Sequence, residues 1–133
     1  MSFVKPDRDG SLSAPEFDVV GLSSIGWEGP LDFPTNTRAS QKMNEEVLAL
    51  LGLAGRISHP IGAMNPMPAA ATPVDSPAAR DIIAKAKATP AGRKLQVFVL
   101  GAYTNVASAL LLDPSIKDPT GAPRPLDRHS DTE

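Results

Sequence analysis

Proline limits what this chain can fold into more than any other feature. Fourteen prolines stand among 133 residues, roughly twice the usual share of about 5%. They gather at 30–34, 60–77 and 114–125. A proline ring fixes φ and removes a backbone donor, so regular structure is confined to the stretches between these clusters. The length suits a single domain, one that buries roughly two-thirds of its unfolded surface around one core.

Between the clusters the sequence becomes periodic. Phe17-Asp18-Val19-Val20-Gly21-Leu22-Ser23-Ser24-Ile25 is apolar and β-branched, too short for a helix before Gly26, and reads as a buried strand. From Ser40 to Gly55 the apolar residues Met43, Val47, Leu50, Leu51 and Ala54 fall on one helical face, opposite Gln41, Lys42, Glu45 and Glu46. Gly55-Arg56 supplies the stop. His59-Pro60-Ile61-Gly62-Ala63 reads as a short strand between turn residues. Ser76-Pro77 starts a second helix, with serine at the N-cap and proline at the first helical position, where no N–H is needed. Its stripe is Ala79, Ile82, Ile83 and Ala86, and Pro90 ends it.

Leu95-Gln96-Val97-Phe98-Val99-Leu100 is the clearest strand, closed by Gly101. A third helix, capped by Thr104 or Asn105, runs to Leu112 and stops at Asp113-Pro114. Strands alternating with helices predict an α/β fold, a three-layer fragment of a doubly wound parallel sheet. Val19, Leu22, Val97 and Val99 are expected in neighbouring parallel strands, with Leu50, Leu51, Ile82, Ile83 and Leu110 buried against them. The expected organisation is a polar N-terminal segment over 1–15, the α/β domain over 16–118, and a disordered tail over 119–133 that has almost nothing to bury.

Composition then removes whole classes of function. Thirteen basic against fifteen acidic residues give a net charge of −2, which withholds the broad attraction to phosphate that nucleic-acid binders use. With no cysteine there is no disulfide, thiolate zinc site, iron–sulfur cluster or cysteine nucleophile. The apolar runs Val47–Leu51 and Ala109–Leu112 are far short of a membrane span of about 20 residues. Met1-Ser2-Phe3-Val4-Lys5-Pro6-Asp7 lacks the apolar core of a signal peptide. A cytoplasmic protein with neither nucleic acid nor membrane as partner is expected.

Few motifs carry chemistry. Asp7-Arg8-Asp9-Gly10 through Glu16 has the Gly and Glu spacing of an EF-hand loop, with Asp9 at position 5 and Glu16 at position 12. Lys5 then occupies position 1, where a carboxylate belongs, and neither flanking helix is present, so the stretch reads as a polar turn before a strand. His59 and His129 are too far apart for a shared metal. Neither a glycine-rich phosphate loop nor a Gly-x-Ser-x-Gly elbow occurs. Trp27, the only tryptophan, follows a strand and a glycine. That places it where open α/β sheets bind ligands, although packing is the commoner use of a lone indole.

Val97 to Leu110 is a strand, a glycine turn with Thr104-Asn105, and a helix ending in Asp113-Pro114. This pattern resembles the inosine–uridine-preferring nucleoside hydrolase family. Glu16-Phe17-Asp18-Val19-Val20-Gly21-Leu22-Ser23-Ser24 is similar to that family's second strand, and Asn44 to Arg56 to the helix after it. His59-Pro60-Ile61-Gly62-Ala63 looks like its short strand and turn, and Ser76 to Ala88 like the next helix. The resemblance covers about residues 15–118 in order. The family's opening Asp-x-Asp-x-x-x-Asp-Asp, which binds calcium and supplies the general base, is absent from this sequence. So is the later half that carries most nucleoside-binding residues.

The resemblance implies a calcium-dependent N-ribohydrolase acting on purine or pyrimidine nucleosides, in which calcium holds the ribose hydroxyls and the attacking water. The chain is expected to be an incomplete piece of such an enzyme, inactive alone. The family's metal-coordinating carbonyl transfers to Leu100, and Trp27-Glu28 stand where many members carry Gly-Asn beside the ribose. The Leu100 carbonyl and the Trp27-Glu28 loop are expected to flank one concavity at the carboxyl ends of the strands, unless Trp27 folds over and closes it. Loss of a central strand would leave an apolar edge that self-associates. The other readings are a non-catalytic α/β binding or interaction domain, and a small EF-hand-like module.

Overall fold

The computed structural model describes residues 18–117. The N-terminal segment 1–15 with its EF-hand-like spacing, and the tail 119–133 with His129, lie outside the described residues. Three α-helices follow one another, α1 at Phe33–Leu50, α2 at Pro77–Ala88 and α3 at Thr104–Leu112, and a 3₁₀ turn spans Pro114–Lys117.

No β-strand and no sheet occur among the described residues, which overturns the α/β, three-layer parallel-sheet expectation. What remains of it is a parallel alignment of two irregular segments. Gly21 forms an isolated parallel bridge with Ser58. The Leu22 N–H donates to the Ser58 carbonyl at 2.8 Å, and the Gly62 N–H donates to Ser24 Oγ at 2.8 Å. The reason the ladder stops is local. Glycine at 21, 26 and 62 and proline at 60 weaken strand pairing, and the Ser24 hydroxyl takes a backbone N–H that a ladder would have used. The third expected strand, 95–100, is likewise irregular apart from a single bridge residue at Gln96.

The first helix begins seven residues before its expected start at Ser40. Asp32 is its N-cap, with Oδ1 accepting from the Thr35 N–H at 2.8 Å, and Pro34 sits in the first turn. The helix stops at Leu50 and is closed by Gly52, not by Gly55. Gly52 has φ +68°, its N–H reaches the Ala49 carbonyl at 3.1 Å, and the Leu53 N–H reaches Leu48 at 2.8 Å. That is a Schellman close, with Leu53 packed on the cluster that holds Leu48.

The buried face of α1 is also not the expected one. Phe33, Asn36, Thr37, Asn44 and Leu48 are buried, whereas Met43, Leu50 and Leu51 are exposed, Leu50 to 87%. In α2 and α3 the helix bounds agree with the expectation. Ser76 Oγ accepts from the Ala79 N–H at 3.1 Å, while α3 takes Tyr103 as N-cap without any side-chain cap, so neither Thr104 nor Asn105 caps it.

Two apolar clusters lie on opposite sides of residues 19–22. Leu22, Leu48 and Ile57, with Val19 and Leu53 against them, form the α1 side. Ala79, Ile82, Ile83 and Ala109, with Val20, Val97 and Val106 against them, join α2 to α3. Helices α2 and α3 pack directly on each other, and α1 packs on neither. The molecule is therefore layered helix, irregular chain, helix pair. Of the residues expected in the core, Ile82 and Ile83 are buried and Leu110 is half-buried.

Candidate functional site

The irregular middle layer carries backbone groups that no ladder satisfies, and buried backbone groups must find partners. Polar side chains from the helices supply them. Asn105, buried at the start of α3, donates from Nδ2 to the Ser24 carbonyl at 2.8 Å. Its Oδ1 accepts the Ala63 N–H at 2.9 Å. Thr37 of α1 lies 2.9 Å from the Ala63 carbonyl and 3.0 Å from the Phe33 carbonyl, with its hydroxyl as donor. Asn36 Nδ2 donates to the Trp27 carbonyl at 2.9 Å and to Leu31 at 3.1 Å. Ser40 Oγ accepts the Ile25 N–H at 3.2 Å, and Gln41 Nε2 donates to the His59 carbonyl at 2.8 Å.

Ser24, Ala63, Thr37 and Asn105 thus form one buried hub joining α1, α3 and both irregular segments. Gly62 is needed in it, because a Cβ there would stand 2.1 Å from the Ser24 carbonyl oxygen and 2.9 Å from Asn105 Nδ2. The chain passes too closely for any side chain.

The rim above this hub holds the residues read from sequence. Gly101 abuts Ile25, since a Cβ on it would lie 2.3 Å from Ile25 Cδ1. Leu100 and the Trp27-Glu28 turn therefore rise from chain that meets at the same place. Leu100 is 74% exposed and Tyr103 is 69% exposed. Glu28 is exposed. Trp27 is 43% exposed. Its indole leans back over its own turn, with Nε1 3.4 Å from where a Gly29 Cβ would stand.

What this rim can do chemically follows from its groups. The indole and phenol faces can stack on a planar ring, and the Glu28 carboxylate can accept from a hydroxyl. Calcium takes six to eight oxygens. Among the described residues no group of three or more His, Asp or Glu is placed to hold a metal. One carboxylate and the Leu100 carbonyl do not fit that ion alone.

Asn36 and Thr37 escaped the sequence reading, and Asn105 was read there as a helix cap and turn residue, not as a hub. Asp32 two residues before Pro34 was the available signal for the early helix start that brings Asn36 and Thr37 into α1. His59 is half-buried with Nδ1 2.9 Å from the Ile57 carbonyl, a packed position and not part of the rim. Comparison with protein-family models, curated proteins and solved structures finds no match to the chain.

Proposed function

We propose that the chain carries one wall of a calcium-dependent N-ribohydrolase-type site, contacting a nucleoside through Trp27 and Glu28 and hydrolysing nothing by itself. One observation supports this reading. Three of the five segments that bear the sequence resemblance, those containing Ser24, Ala63 and Asn105, are tied together by the Asn105 side chain. Trp27 and Glu28 follow Ser24 by three and four residues, and Leu100 precedes Gly101, which abuts Ile25. Stacking of a base on indole and a carboxylate–hydroxyl bond to ribose are what these groups offer. The remaining oxygens of a calcium shell would come from another polypeptide.

The test uses the single tryptophan as reporter. Uridine and free ribose are titrated into the full chain with and without calcium, excited above nucleoside absorbance, while base release is followed on the same samples. The expected outcome is a saturable uridine-dependent change in Trp27 emission, reduced in Glu28→Gln, with no base released. No response to uridine overturns the reading, and base release by the chain alone overturns its second half.

A second reading, an interaction domain, is favoured by the exposure of the large apolar side chains Trp27, Leu100 and Tyr103, since exposed apolar surface invites a partner. Its chosen partner is a second copy of the chain. Sedimentation velocity should then show a concentration-dependent dimer that Leu100→Glu abolishes, and a clean monomer over a wide concentration range rejects it.

A further inference from the structure

A cavity of about 220 Å³ opens between α2, α3 and the chain at 95–97. Its walls are Ile82, Leu95, Val97, Val106, Leu110 and Ile116. Ile82 is buried in the helix-pair core, and Val97, Val106 and Ile116 pack on that core from the cavity side. The exposed Arg93, Lys94 and Lys117 also line the cavity. The other lysines of this region are neutralised, Lys85 by Asp81 and Lys87 by Asp113. No carboxylate among the described residues pairs with Lys94 or Lys117. Two unneutralised ammonium groups lining an apolar chamber, in a chain of net charge −2, select a ligand that is apolar at one end and anionic at the other.

We propose that this cavity is a binding site for a short aliphatic carboxylate, its tail among Ile82, Val97, Val106 and Leu110 and its carboxylate at Lys94 and Lys117. Size sets the tail. A dry cavity of roughly 150 Å³ holds benzene, so this one takes a chain of about six to eight carbons. Ammonium–carboxylate contact supplies charge-assisted hydrogen bonds that an alcohol of equal length lacks. The site does not depend on the Trp27 rim, and it stands or falls separately.

Butanoate, hexanoate, octanoate, dodecanoate and 1-octanol are titrated into the full chain by calorimetry, with backbone NMR shifts to locate the site. Affinity is expected to rise about fourfold per methylene up to octanoate and to level off at dodecanoate, where the chamber is full. 1-Octanol should bind about tenfold more weakly than octanoate. The surface double variant Lys94→Gln/Lys117→Gln should bring octanoate down to the level of 1-octanol, and Leu110→Trp, which fills the chamber, should abolish both. If Leu110→Trp fails to fold, the lysine variant decides alone. Absence of carboxylate binding overturns the proposal, as does octanoate affinity unchanged in the lysine variant. Nuclear Overhauser contacts from residues 118–133 into the chamber would assign it to the chain's own tail, and a dimer that octanoate dissociates would assign it to a second copy. Either overturns the proposal.

Discussion

The two sides of the middle layer are held by different forces. On the α2–α3 side, Ala79, Ile82, Ile83 and Ala109 meet side chain to side chain, and the hydrophobic effect acts without regard to direction. On the α1 side, the helix itself buries only Phe33 and Leu48 as apolar residues, with Leu22 and Ile57 of the irregular chain against Leu48. Asn36, Thr37 and Asn44 are buried on the same helix. There the helix is fastened to irregular chain by hydrogen bonds from Asn36, Thr37, Ser40 and Gln41 to backbone groups. A helix facing another helix can bury alkyl groups alone. A helix facing chain that lacks a ladder must bring donors and acceptors of its own. The inverted face of α1, with Met43 and Leu50 in solvent, is the consequence.

The largest effect is expected of Asn105→Ala, because Asn105 fastens the α3 end to the same irregular chain that α1 meets. The substitution leaves the Ala63 N–H and the Ser24 carbonyl buried without partners, at about 1–3 kcal/mol for each group. A loss of about 3 kcal/mol is expected in urea unfolding, with the m-value unchanged. A loss below about 1 kcal/mol would mean that the hub is incidental to stability. Smaller, and more direct as a comparison, is the pair Thr37→Val and Ile83→Val. The first keeps shape and removes only the hydroxyl that serves the Ala63 carbonyl, for about 2 kcal/mol. The second removes one methyl from the helix-pair core, for about 1 kcal/mol. If Ile83→Val proved the costlier of the two, the division of forces between the sides would be reversed.

Sequence made the helix-pair side legible and the α1 side largely not. Ser76-Pro77 is a local signal, and the stripe Ala79, Ile82, Ile83 faces what an apolar stripe ordinarily faces, so α2 and its packing follow from a dozen contiguous residues. The face of α1 depends instead on what lies opposite it. The partners joined at the hub are 26, 42 and 81 positions apart for Thr37–Ala63, Asn105–Ala63 and Asn105–Ser24. No periodicity encodes such distances. The segments at 17–25 and 95–100 have strand composition, but composition cannot report whether a neighbour arrives in register, and the glycines and the Ser24 side chain work against it. Glu28 and Leu100 were candidates through the family resemblance alone, and Trp27 also through its place after an expected strand and Gly26. The buried amides that hold their segments together were not.

The α1 side also contains a place where polar fastening fails. Asn44 is buried to 3% exposure and its Nδ2 has no partner. Asn44→Leu replaces an unsatisfied amide with an alkyl group of similar size, next to an apolar cluster that already includes Leu48. An amide without its bonds is a liability, so a gain of about 1 kcal/mol or less is expected in the same unfolding measurement. A loss would show that Asn44 serves the α1 side as Asn36 and Thr37 do, and would extend the polar fastening along the whole helix.

The smallest effect belongs to the helix-pair side and to acid. Asp113, at the end of α3, is held down to about 2 from an ordinary 3.8, first by the Lys87 ammonium that donates to it and next by the Ser115 hydroxyl. Because the folded value lies below the unfolded one, the pair adds stability only where Asp113 is ionised in both states, above about pH 4. That contribution fades as pH falls from 3.8 towards 2. The contact sits near the surface, so salt screens it and its size is small. Unfolding midpoints measured at fixed ionic strength should therefore fall more steeply between pH 4 and pH 2 in the parent chain than in Asp113→Asn, and the difference should shrink in molar salt. The Lys87–Asp113 bridge spans α2 and the end of α3, so equal slopes in the two proteins would mean that burial alone holds the helix pair at acid pH.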